Sequence, residues 1–200
     1  NRSSGRMGFA LAEAAARRGA RVTVVAANAS LPRRPGIDYV DVQTAAELHD
    51  AARDAFATAD VLLMAAAVAD FRPRSAQAGK IKKDQGVPRL ELEATPDVLT
   101  TLSEARRPEQ TLVGFAAEAG EEGLESARGK LRRKRLDLVV LNDVSTTGIA
   151  FDAPENEVTL IAADGAERTV ARGAKAVVAD AILDEVVRLR SERGAGREHV

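Results

Sequence analysis

The chain has 200 residues, 29 basic and 30 acidic side chains and a net charge of −1, with 45 % hydrophobic content. A chain of this length buries roughly 70 % of its unfolded surface and needs no disulfide or structural metal to hold a core. There is no cysteine, which excludes thiolate catalysis and Cys-ligated zinc, and only two histidines, His49 and His199, which argues against a Ser-His-Asp triad. The balanced charge argues against a general nucleic-acid binder.

No apolar run reaches the roughly 20 residues that span a bilayer, so a cytoplasmic location without a membrane partner is expected. Aromatic residues are only 3 %, so Ala, Val and Leu must build the core.

In chain order, Met7, Leu11, Ala14 and Ala15 share one helical face, and Gly19 marks the stop of a helix over 7–18. Residues 21–26 form a β-branched run that reads as a buried strand. A helix over 44–58 and a strand over 61–66 follow. Residues 71–90 carry Pro73, Gly79, Gly86 and Pro88 among charges and read as a long loop, of the kind that serves as a lid. A short strand through Leu92 is expected at the end of that loop; Pro96 then opens a helix to about Glu104 with Thr95 as its expected N-cap.

Strands over 111–115 and 136–141 flank a helix over 120–135. Residues 157–161 and 167–170 bracket Asp164-Gly165, a hairpin signal. A final helix is expected over 174–190, with 191–200 as a flexible tail. The alternation predicts an α/β fold, a Rossmann-like and mostly parallel sheet with helices on both faces, plus the C-terminal hairpin and helix, all in one domain over 1–190. Asn1 to Gly8 reads as the turn between a strand and a helix, so a strand upstream of Asn1 is expected.

In such sheets ligands lie beyond the carboxyl ends of the strands. Those ends carry Met64-Ala-Ala-Ala-Val-Ala-Asp70, Gly114-Phe-Ala-Ala-Glu118 and Asn142-Asp143, where small residues leave room for a ligand and a polar group follows. Ser3, Ser4, Gly5 and Gly8 surround a helix start, where free amides attract an anion; a glycine turn that merely packs the helix is the plainer alternative. Lys80, Lys82 and Lys83 lie in the long loop, as a solvated face or as cations for a phosphate. Lys130 and Lys134 are spaced i, i+4 on one face, complementing either a helix end or a ligand. Asp70, Asp97 and Asp143 are candidate metal or ribose ligands, and Asn142 fits a turn equally well.

In order and spacing, Asn1-Arg-Ser-Ser-Gly-Arg-Met-Gly8, Ala66-Ala-Val-Ala-Asp70, Lys80-Ile-Lys-Lys83, Pro96-Asp97, Gly114-Phe-Ala-Ala-Glu118 and the stretch from Lys130 to Asp143 resemble the bacterial phosphopantothenoylcysteine synthetase family. The likeness runs from Asn1 to about Arg190. It implies a ligase that joins 4′-phosphopantothenate to L-cysteine after CTP activation through an acyl-CMP intermediate, with Mg²⁺ and as a homodimer. It implies catalytic roles for Asn1 and Lys80. CTP contacts are implied for Ser3, Ser4, Gly5, Arg6, Met64, Ala65, Ala66, Asp70, Lys80, Pro96, Asp97, Val98, Leu99, Phe115, Lys130 and Lys134, with Asn1 and Ala66 against the second substrate. The metal ligands stay open, with Asp70 a candidate and Mg²⁺ otherwise held by the triphosphate. The flavin-dependent decarboxylase usually fused upstream in bacteria is implied as a neighbouring domain, and no flavin is expected in this chain.

A dinucleotide-dependent oxidoreductase is the rival reading. Against it, the glycine pattern is not G-x-G-x-x-G, and Ala26-Ala27-Asn28 stand where an acidic residue would end the strand. A non-catalytic nucleotide-binding module is the third.

Overall fold

The structure, a computed structural model, describes residues 3–75, 79, 89–118, 120–143 and 155–195. The elements run α1 (Arg6–Arg17), β1 (Thr23–Ala27), β2 (Asp38–Val42), α2 (Ala45–Phe56), β3 (Val61–Met64), β4 (Phe71–Pro73), β5 (Leu92–Ala94), α3 (Val98–Ala105), β6 (Thr111–Glu118), α4 (Gly120–Arg133), β7 (Leu138–Asp143), β8 (Glu155–Ala162), β9 (Glu167–Ala174) and α5 (Lys175–Ala195).

The main sheet has the order β3-β6-β7-β8-β9. β3, β6 and β7 are parallel, and β8 and β9 continue antiparallel as the expected hairpin. Side chains alternate across this sheet, as the two-residue period of a strand requires. Leu112, Ala116, Val139 and Leu141 enter a core shared with residues of α2, α3 and α4. Val113, Leu138 and Val140 enter a second core against residues of α1 and α5. Both faces are therefore covered. That is why the central strands read as nearly unbroken apolar runs.

Three elements depart from the sequence reading. β2 was not expected: Asp38-Tyr-Val-Asp-Val42 alternates with acidic residues because it pairs only with β1, at the rim, and leaves Asp38, Val40 and Asp41 exposed. The cap of α3 is Asp97, which accepts the Thr100 N–H at 3.1 Å. Thr95 is engaged elsewhere, its hydroxyl donating to the Ala69 carbonyl and its N–H to the Asp70 carbonyl at 2.9 Å. Finally, α5 runs through Ala195 rather than stopping near 190, so 191–195 is helix and not tail. Arg193 anchors this end, donating to the Gln110 carbonyl at 3.0 Å and to Asp137 at 2.6 Å. Residues 196–200 lie outside the described residues.

The long loop expected over 71–90 carries β4 at its start, and β4 pairs antiparallel with β5 as a separate two-stranded ribbon. The parallel pair β1-β2 is likewise separate from the main sheet. Between the edges of β1 and β3 runs a cleft of about 1500 Å³, lined by Val24 and Val25, by Leu62 and Leu63, and by Ala52 of α2 and Leu183 of α5. The valines and leucines of these two strands are only partly buried, whereas Leu112, Val113, Leu138 and Val139 are fully covered.

Candidate functional site

The carboxyl edge of β3, β6 and β7 gathers the polar groups. Helix α1 starts there: an alanine-sized methyl group on Gly8 would lie 3.8 Å from Ala65 Cβ, and the Met7 sulfur lies 3.9 Å from Asn156 Nδ2 at the start of β8. Gly5 caps α1 with φ 74°, a left-handed conformation that glycine adopts without strain. The Gly5 N–H is turned back onto Ser3 Oγ at 3.3 Å. Ser3, Ser4, Gly5 and Arg6 line the same end of the cleft as Ala65 and Ala66. A helix start bearing no acidic residue in its first turn leaves its amides and dipole available to an anion.

The other wall is built by α3 and α4. Lys134 forms an ion pair with Asp97 at 2.8 Å, tying the end of α4 to the cap of α3. Lys130, one turn earlier, is half-buried and donates to the Phe115 carbonyl at 2.5 Å. Burial pushes the Lys130 ammonium below its ordinary value and Lys134 adds to this; Glu118, Asp97 and Asp70 act the other way. Burial tends to raise the Asp97 carboxyl, but Lys134 and the Thr100 N–H outweigh it and hold it below the usual range. These interactions bring Asp70, Asp97, Glu118, Lys130 and Lys134 into one neighbourhood, although they come from four different segments.

Several expected contacts are redirected by packing. The side chains of Met64, Val98 and Leu99 are buried in the core. Any contact they make with a ligand is through the backbone, which for Val98 and Leu99 is the first turn of α3. Ala66, Pro96 and Asp97 are exposed, and Phe115 is half-buried against the α1–α5 core. Asn1, Lys80, Lys82 and Lys83 lie outside the described residues. Among the described residues no group of three acidic or histidine side chains forms a cation site, and Asp70 is exposed. One carboxylate together with phosphate oxygens is the usual way Mg²⁺ is held in nucleotide sites, and Asp70 fits that arrangement.

Three polar features escaped the sequence reading. Glu118 accepts the Ser126 hydroxyl at 2.9 Å. Lys175 is buried and donates to Asn156 Oδ1 at 2.5 Å; its place on the buried face shared with Val178, Ala179 and Ile182 was the available signal. Asn142 Oδ1 is buried with no hydrogen-bond partner among the described residues. The sequence offered Asn142 as a turn residue, but it belongs to β7, opposite Val158.

Residues 1–189 match the family described as DNA/pantothenate metabolism flavoprotein C-terminal domain. The chain belongs to this family. It is 45 % identical over 197 residues to the coenzyme A biosynthesis bifunctional protein CoaBC of Mycobacterium tuberculosis, a match covering 94 % of this chain and 47 % of that protein. The chain thus spans about half the length of the curated relatives it matches. The crystal structure of the C-terminal domain of a CoaBC protein superimposes with a TM-score of 0.80 at 33 % identity, covering 96 % of this chain and 86 % of that one. A Cab2 mutant solved in complex with phosphopantothenate-cysteine has a TM-score of 0.78 at 17 % identity, over 99 % of this chain and 81 % of that one, which establishes likeness of fold. The α/β architecture with helices on both faces is that of the CoaBC C-terminal domain.

Proposed function

We propose that residues 1–190 form a phosphopantothenate–cysteine ligase domain of coenzyme A biosynthesis that uses CTP. The observation that carries this reading is the meeting of Lys130, Lys134, Asp70 and Asp97 at the carboxyl edge that also holds the Ser3–Arg6 helix start, in a chain of this family.

The chemistry asks for such a site. A carboxylate is a poor acyl donor because oxide leaves badly. An oxygen of the 4′-phosphopantothenate carboxylate attacks the α-phosphorus of CTP, the bond to pyrophosphate breaks, and 4′-phosphopantothenoyl-CMP forms. The amine of L-cysteine then attacks the acyl carbon, CMP leaves, and the amine gives up a proton. The first step brings anions together. Lys130, Lys134 and the amides at the start of α1 offset their repulsion, and losing one such donor typically costs about 2.7–4 kcal/mol in the transition state. The first turn of α3 and the Phe115 edge hold the cytidine, Ser3, Ser4, Gly5 and Arg6 face the phosphates, and Ala65 and Ala66 let the ligand approach the strand end. Mg²⁺, with Asp70 and the triphosphate oxygens as its holders, supplies charge neutralisation. By resemblance, Asn1 and Ala66 face the acyl group, and Lys80 faces the phosphates.

A homodimer and a cytoplasmic location belong to the same reading. Phe71, Leu90 and Leu92 are 64 %, 70 % and 56 % exposed on and beside the β4-β5 ribbon, an apolar surface suited to a second copy. In a protein of the length of its CoaBC relatives, the remaining half would hold the decarboxylase.

Pyrophosphate release, measured with CTP or ATP and with or without cysteine, tests the function. Release with CTP, phosphopantothenate and Mg²⁺, and amide formation only when cysteine is added, is expected. CTP binding without release would leave a binding module; thermal protection by NADPH with no response to CTP would favour the oxidoreductase.

A further inference from the structure

Lys134, just past the end of α4, follows Lys130 by one turn and donates its backbone N–H to the Lys130 carbonyl at 3.0 Å, yet their surroundings differ. Lys134 is matched by Asp97 at 2.8 Å. The hydrogen bond of Lys130 goes instead to the neutral carbonyl of Phe115, in a half-buried position next to a second lysine. A charge so placed is drawn toward neutrality or toward solvent unless an anion is held close to it.

Glu118 is fixed on the strand whose Phe115 carbonyl Lys130 reaches. It is the last residue of β6, three positions beyond Phe115, on the strand face that also carries Leu112 and Ala116 toward α4. Ser126 precedes Lys130 by one helical turn and projects from the same side of α4, and its hydroxyl clamps Glu118 Oε1 at 2.9 Å. Gly123 makes the approach possible: a methyl group there would stand 2.9 Å from Glu118 Cβ and 3.2 Å from its carbonyl carbon. Ser126 and Lys130 on one helix thus meet Glu118 and Phe115 on one strand, two rungs of the same contact.

We propose that Glu118, clamped by Ser126 on the strand that Lys130 reaches, is a positioning residue that keeps Lys130 a charged group at the nucleotide site. The proposal rests on the ligase reading for what Lys130 contacts, but the link between Glu118 and Lys130 stands without it. The charged groups facing Lys130 are Lys134 just past its own helix, Glu118 from β6, Asp97 at the cap of α3 and Asp70 ahead of β4. Of the three carboxylates, Glu118 opposes the two depressing influences, burial and Lys134, most strongly. It is also the one fixed by a neutral hydroxyl, whereas Asp97 is already paired with Lys134.

The test is Glu118→Gln, which keeps an acceptor for Ser126 and removes only the charge. Carbon-13 NMR of the lysine side chains in the full chain reads the titration of Lys130 directly, with Lys130→Arg identifying its signal. The midpoint is expected to move to lower pH. CTP affinity should then agree between the two proteins at pH 6.5 and be several-fold weaker in Glu118→Gln at pH values above the measured Lys130 midpoint. Adding Lys130→Arg to Glu118→Gln should restore binding at the higher pH, because a guanidinium stays charged. An unmoved Lys130 midpoint overturns the proposal, as does a loss of affinity equal at both pH values. If the unaltered chain binds no CTP, the ligase reading fails, and the NMR midpoint alone still decides the role of Glu118.

Discussion

Half-burying an ammonium group beside a neutral carbonyl, as the fold does with Lys130, works against stability. Because its folded value is depressed by burial and by Lys134, the unfolded chain binds that proton more tightly than the native one. Stability therefore gains as pH rises from the folded value toward the ordinary lysine value of about 10.4. Lys130→Met is expected to raise stability at neutral pH by about 0.5–2 kcal/mol in urea unfolding, with the gain shrinking at alkaline pH, while CTP-dependent pyrophosphate release falls. A variant less stable at pH 7 would contradict this account. Asp137 shows the opposite logic at the far edge of the sheet. It is buried, accepts the Leu112 N–H at 2.7 Å and Arg193 at 2.6 Å, and is also paired with Arg106. Asp137→Ala leaves two guanidinium groups without that carboxylate, and a loss of about 3–5 kcal/mol is expected in the same assay. Activity per folded molecule should survive, because this network lies opposite the site.

At the level of elements, the helix starts are capped in different ways. α2 begins in a capping box: Glu47 N–H donates to Thr44 Oγ1 at 3.1 Å, and Thr44 N–H to Glu47 Oε2 at 3.4 Å. Thr44→Ala should lower stability by about 1 kcal/mol, read as a shift of the thermal midpoint with CTP kinetics unchanged. α3 differs because its cap, Asp97, is also the partner of Lys134, so one carboxylate both starts a helix and holds a lysine. Proximity to Pro96 pointed to Thr95 as the cap. The hydroxyl of Thr95 had a competing partner in Ala69, a contact between residues 26 apart in sequence, and no local pattern reveals such a contact. β2 was missed for a related reason, since a rim strand with one partner lacks the apolar run by which buried strands are recognised.

For the molecule as a whole, the cleft between β1 and β3 divides the β1-β2 pair from the main sheet. Adjacent strands lie roughly 4.8 Å apart, and facing strand edges present backbone groups that call for partners. A β-branched segment of about six residues, fused ahead of Asn1, is expected to slow amide exchange in both β1 and β3 and to raise the thermal midpoint. A Gly/Ser extension of equal length should do neither. Equal exchange in the two extended chains would mean that the cleft does not take a strand.

Composition and periodicity by themselves determined the alternation of helices and strands, the sheet covered on both faces, the C-terminal hairpin and the inventory of Lys, Asp and backbone amides left for chemistry. These follow from local propensity and from apolar spacing, both properties of neighbouring residues. Only the tertiary structure decided that Val98 and Leu99 turn into the core while Asp97 turns out to Lys134, that Lys130 faces a carbonyl, and that Glu118 reaches Ser126. In each case the outcome depends on which face of an element is buried and on how far two distant segments are brought together. Packing sets both, and residues adjacent in sequence carry no record of it.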